Sequence, residues 1–114
     1  MSITRIGLIE QIDQAGATTH AYTVGVSGVA QGNFVVIRGG STSAVTVTGV
    51  VDSKGNTYTV DSTDTTRGHI ASGYMTTALV NTDTITVTLS GSSGWVGDAA
   101  EFSGILSSGA FDKS

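Results

Sequence analysis

The chain has no cysteine and no proline, and Asp, Glu, Lys and Arg together make up only 12% of its 114 residues. Without thiols there is neither a disulfide framework nor a thiolate metal site, and the redox compartment leaves no mark on the sequence. The charge leans acidic, with a formal net charge of −4, and the five cations (Arg5, Arg38, Lys54, Arg67, Lys113) are scattered along the chain. That scatter offers no basic stripe to a phosphate backbone, so no nucleic-acid partner is expected. No run of about 18 apolar residues occurs, and no charged n-region precedes an apolar h-region at the N-terminus. The expectation is a soluble chain without a membrane partner or a cleavable secretion signal. Two histidines without cysteine also leave little for a zinc site.

What remains is a hydroxyl-rich polar set and enough apolar residues for one core. The hydrophobic share of 39% argues against general disorder, and 16 glycines without a G-X-Y period argue against a collagen-like chain. Residues 44–60, AVTVTGVVDSKGNTYTV, carry two strand patterns and a turn between them. Alternation puts Val45, Val47 and Val51 on one face and Thr46, Thr48 and Val50 on the other. Asp52, Ser53, Lys54, Gly55 and Asn56 are consecutive turn-formers, with Gly55 free to take positive φ, so a β-hairpin is expected here.

The same grammar recurs along the chain. Residues 3–10, 20–26, 34–38, 69–76, 84–89 and 95–103 read as further short strands, about eight in all. The cleanest is TITVTL, with Ile85, Val87 and Leu89 inward and Thr84, Thr86 and Thr88 outward. Gly/Thr and Ser/Gly segments at 14–19 and 90–94 read as connectors. An all-β fold follows, an antiparallel β-sandwich of jelly-roll or Ig-like kind. A sandwich is preferred to a small barrel because few large aromatics are available to fill a barrel centre. One domain spans 1–114, with 1–14 and 105–114 as candidate inter-subunit arms, because the sandwich pattern accounts least for their apolar residues.

Candidate chemistry is sparse. His20 and His69 are the histidine bases available, and no G-x-S-x-G nucleophile elbow accompanies them: residues 25–28 and 91–94 miss its spacing. Asp52, Asp61, Asp64 and Asp83 sit at turns, where with Asn56 they offer hard oxygen ligands for Ca²⁺. Carboxylates at turns are, however, already explained by local backbone hydrogen bonding, and the D-x-[DN]-x-[DN]-G loop is missing. Asp98 and Glu101 face opposite sides of their strand on strict alternation, which does not suit a glycosidase acid pair. Trp95, Tyr22, Tyr58 and Tyr74 are candidates for a sugar-stacking platform, against the alternative of core packing or an interface anchor. No catalytic residue, cofactor or metal site is assigned from these patterns.

Three segments carry a resemblance. VVDSKGNTY at 50–58, DTITVTL at 83–89 and AEFSG at 100–104 together resemble a recurrent phage and bacterial β-sandwich display module. Its pattern is a V-x-D-S-x-G-N-x-Y/W hairpin, a G/D-D-x-I/V-T-V-T strand and an E-Y/F-S-G strand. The matched residues are Asp52, Ser53, Gly55, Asn56 and Tyr58, then Thr86, Val87 and Thr88, then Glu101, Phe102, Ser103 and Gly104. Such modules occur in virion decoration and appendage proteins and in bacterial surface proteins. The module usually continues for further strands beyond the last segment, whereas this sequence stops ten residues later.

The resemblance implies display or adhesion and no conserved reaction. The expectation it supports is a non-enzymatic phage virion protein, a capsid decoration (cement) protein on the shell exterior. Its partners would be the major capsid protein or other virion proteins and further copies of itself, a trimer being favoured. The alternative is a carbohydrate-binding or adhesin module of a secreted bacterial surface protein, with exposed aromatics around Trp95 or Tyr74.

Overall fold

Alternating apolar and hydroxyl residues become six strands in the computed structural model, which describes residues 4–64 and 68–103. They are β1 (Thr4–Thr23), β2 (Phe34–Ser41), β3 (Val47–Asp52), β4 (Tyr58–Asp64), β5 (Gly68–Tyr74) and β6 (Thr84–Ser103). Every ladder is antiparallel, and no helix occurs among the described residues. The strands form one hydrogen-bonded sheet in the order β1-β6-β2-β5-β4, with β3 also paired to β6.

The two longest strands, β1 and β6, change partners along their length. The first part of β6 pairs with β3 (Val50↔Val87) and with the end of β1 (Tyr22↔Ile85). Its second part pairs with β2 (Ile37↔Ala99) and with the start of β1 (Leu8↔Ala100). Between the two parts, the β1–β6 register shifts at Gln14/Ala17 and again at Ala17/Thr19. There the strands turn a corner. The Glu10 carboxylate accepts the Thr23 N–H at 2.7 Å although the two residues are 13 apart in one strand; a straight strand would hold them about 43 Å apart. Bulged strands that pass from one layer to another are a known way of making such corners.

The sheet thus folds back on itself into two wings that enclose one core. Val35, Ile37 and Ala71 come from the β2–β5 wing and Val47, Val50, Ile85 and Val87 from the β3–β6 wing, joined by Tyr22, Met75 and Trp95. Ile85, Val87 and Leu89 are buried, as alternation assigns them. Beside its ladder with β6, β3 also lies against β4, and the Val47 N–H donates to the Thr63 hydroxyl at 2.9 Å across that seam.

Three expectations change. Six strands replace about eight, because the polar segments at 14–19 and 90–94 continue as β1 and β6 around the corner instead of ending strands. The 52–56 segment does reverse the chain, with Gly55 at φ 78°. It does not close a hairpin, because β3 pairs with β6 and β4 with β5, so the turn carries the chain from one wing to the other. Finally, Val50 and not Val51 points inward, at 7% and 62% exposure. The register shift between Val47 and Gly49 supplies the extra residue that inverts the alternation. Of the two candidate arms, 4–14 forms the first part of β1, while 1–3 and 105–114 lie outside the described residues.

Candidate functional site

The two histidines, distant in sequence, meet at one indole. Trp95 lies on β6 just past the corner and is fully buried, with its N–H donating to the Tyr22 hydroxyl at 2.8 Å. A side chain at Gly39 would strike the indole, so the ring occupies the space that this glycine vacates. His20 and His69 lie nearly parallel to it, with centroids at 6.4 and 5.6 Å and interplanar angles of 19° and 21°. Burial removes the Tyr22 phenolate's hydration and pushes its pKa up to about 12, overriding the Trp95 N–H that favours the anion.

The partners of each imidazole fix what it can do. His20 Nε2 lies 2.7 Å from the Ser93 carbonyl, which only accepts, so this nitrogen carries a proton. Its Nδ1 lies 2.9 Å from the Gln14 side-chain amide. At His69, the Ser41 hydroxyl donates to the Ser43 carbonyl at 2.9 Å and therefore accepts from His69 Nε2 at 3.1 Å. His69 Nδ1 is then the acceptor for the Thr63 hydroxyl at 2.6 Å. This closed chain suits a neutral imidazole, and burial holds the His69 pKa below its usual 6.5 against the opposing charge of Asp64. The proton order is the reverse of what an activated serine needs, since Ser41 receives from the imidazole instead of giving to it. Both histidines are thus committed to structural hydrogen bonds.

Ser93 completes the corner. Its hydroxyl accepts the N–H groups of Thr42 and Ser43, each at 3.0 Å, and donates to the Gly94 carbonyl at 2.9 Å. Nothing in the local sequence marks this serine, because its donors lie about 50 residues earlier, past β2.

The turn carboxylates are similarly occupied. Asp52 Oδ1 accepts the N–H groups of Lys54 and Asn56 at 2.9 and 3.1 Å, and Oδ2 accepts from Asn56 Nδ2 and the Tyr58 hydroxyl at 2.9 and 2.7 Å. Asn56, buried, continues the network by accepting the Thr77 N–H at 2.9 Å. Burial, and then the hydrogen bond and charge of Asp52, drive the Tyr58 pKa well above its usual value. Asp83 accepts from the Val80 N–H, the Ser53 hydroxyl and Lys54 Nζ, which hold its carboxyl below the usual range. Asp61 accepts from Ser72 at 2.6 Å. Asp52 and Asp83 flank one Ser53–Lys54 segment, and no group of three or more His, Asp or Glu among the described residues is placed to hold a metal ion.

Among the described residues, two solvent-open grooves bear on the site. The larger, about 550 Å³, is bordered by Arg38, Ser41, Ser62, His69 and Asp98. Arg38 reaches Asp98 at 3.5 Å with its guanidinium side chain 67% exposed, a weak surface pair. The second, about 400 Å³, runs between 6–9 of β1 and the segment 24–28, with Glu101 at its base. Asp98 and Glu101 therefore serve different surfaces, as their opposite facing requires.

The aromatic platform does not form around Trp95, which lies with Tyr22 inside the core. Tyr58 is held against Asp52, and Tyr74 packs edge-on to Phe34 at 6.3 Å. What the sequence did not reveal is the apolar surface: Ile6, Leu8 and Val26 are 53%, 51% and 87% exposed around the second groove. Val26 shares the alternation of Tyr22 and Val24, but β1 ends at Thr23 and releases it. Comparison with known proteins returns no match to a family model, a curated sequence or a solved structure.

Proposed function

We propose that the chain is a non-enzymatic docking module, a capsid decoration protein bound to the outside of a phage shell. The observation that carries this reading is the edge strand β1, which has one sheet neighbour among the described residues and exposes Ile6 and Leu8 beside Val26. An open edge with apolar side chains is a surface that proteins pair or cover. The buried His20, His69, Ser93 and Asn56 support the same reading, since they are consumed in holding the corner and the turn. On this reading the folded sheet acts as a β-sandwich of jelly-roll or Ig-like kind. It meets the major capsid protein and neighbouring copies, with threefold association favoured, and stabilises the shell by binding its assembled state.

The test is co-sedimentation with phage shells assembled from a major capsid protein. Saturable binding that falls at least tenfold on Leu8→Lys is expected, and no binding to shells overturns the reading. A second reading, a carbohydrate-binding or adhesin module, draws on the polar groove at Arg38, Ser41, Ser62 and Asp98. Glycan-array binding abolished by Arg38→Ala, with no shell binding, would establish it instead.

A further inference from the structure

Glu101 is 7% exposed and sits at the base of the groove formed by β1 and the 24–28 segment. One of its oxygens, Oε2, accepts both the Ala30 N–H at 3.0 Å and Asn33 Nδ2 at 2.7 Å, fastening the β1–β2 connection to β6. No hydrogen bond to Oε1 is formed by the described residues, although the carboxylate borders the groove. Directly across the ladder from Glu101 stands Gly7. Opposed residues share a face of the sheet, and a Cβ at Gly7 would meet no atom within 4 Å, so the approach to the carboxylate is clear. Ile6 and Val26, both more than half exposed, border that approach, whereas Leu8 stands opposite Ala100 in the ladder and so on the other face.

A buried carboxylate at the end of an aliphatic groove is complementary to a cation carried on an aliphatic stem. We propose that this groove receives a lysine side chain of a protein partner, its methylenes against Ile6 and Val26 and its ammonium on Glu101 Oε1. Lysine is favoured over arginine by the carboxylate's own bonding. A guanidinium pairs best with two carboxylate oxygens at once, whereas Oε2 already serves two donors and one oxygen is left for a point-like ammonium. The groove's volume of about 400 Å³ accommodates such a side chain, within the usual range of roughly 300–1,000 Å³ for binding pockets. The chain's net charge of −4 favours a basic partner. The inference rests on the docking reading, because it specifies the chemistry of the docked surface.

The probes are Nα-acetyl-lysine N-methylamide, its arginine counterpart and its uncharged norleucine counterpart, titrated into the full chain with amide chemical shifts as the readout. The lysine probe is expected to bind saturably with shifts confined to 6–9, 24–33 and 101, at least tenfold tighter than norleucine and severalfold tighter than arginine. Glu101→Gln, which retains an oxygen for Ala30, should reduce lysine binding at least tenfold. Gly7→Val should do the same by filling the approach without touching the carboxylate. Equal binding of lysine and norleucine, shifts scattered over other surfaces, or lysine binding undiminished in both folded variants overturns the proposal. Because the comparison of probes uses the unaltered chain, it stands even where a variant fails to fold. Shell binding with a silent lysine probe removes the lysine pocket and leaves the docking module; lysine binding without shell binding does the opposite.

Discussion

The corner at Trp95 and the turn at Asp52 both hold the chain by side-chain hydrogen bonds, but they are assembled from different distances. At the turn, one carboxylate gathers donors from Lys54, Asn56 and Tyr58, all within six residues of it. At the corner, Trp95 reaches Tyr22 across 73 residues and His20 reaches Ser93 across another 73. The turn is half in water and is held chiefly by bonds that a short peptide could form. The corner is largely buried, and its polar groups depend mainly on partners brought from distant segments of the chain. Local bonding therefore sets where the chain reverses, whereas long-range packing sets where the sheet folds over.

The strongest way to break that contrast is Trp95→Ala. Losing a fully buried indole leaves a cavity and strips Tyr22 of its donor, so a loss of about 3–5 kcal/mol is expected in urea unfolding. Asp52→Ala should cost less, about 1–3 kcal/mol, because solvent can take over the exposed amides while the Tyr58 hydroxyl is left unmet. Asp52→Asn, which keeps an acceptor, should recover part of that loss. A cost for Asp52→Ala equal to that of Trp95→Ala would show that the turn is as integral as the corner.

Acid separates the two regions more finely. The His69 pKa lies below 6.5 in the folded chain, so the unfolded chain takes up the extra proton first. The resulting stability is fully present above 6.5 and declines as pH falls below it. Asp83, whose pKa is held below 3.8, contributes stability that is present above 3.8 and disappears only at more acid pH, through its lowered value. Urea midpoints measured from pH 7 to about 3 should first fall through the corner and only later through the turn. His69→Gln should flatten the earlier decline relative to the unaltered chain. A variant with the same slope would relocate the acid-sensitive group.

These contrasts also explain what could be read from the residues. Class was legible because Ile85, Val87 and Leu89 alternate with threonines regardless of what they pair with. The turn was legible too, since Asp52 and Gly55 act within their own segment. The partners of the strands were not: a chain reversal fits a hairpin and a link between wings equally well, and β3 chose β6. The continuity of β1 and β6 was hidden because the small polar residues that let a strand bend are those that also end one. Glu101 was correctly separated from Asp98 by alternation, but its burial depends on Ala30 and Asn33, about 70 residues away. The meeting of His20 and His69 at Trp95 likewise depends on three strands arriving together. Each miss is a tertiary fact without a local cause.

Among the described strands, the one that touches β1, β2 and β3 is β6, and it follows all the others in the sequence. A ribosome therefore releases the earlier strands before the strip that zips three of them together exists. Until then, β1 and β3 have no ladder of their own, and the greasy sides meant for the interior stay wet. Such a nascent chain closes late and all at once.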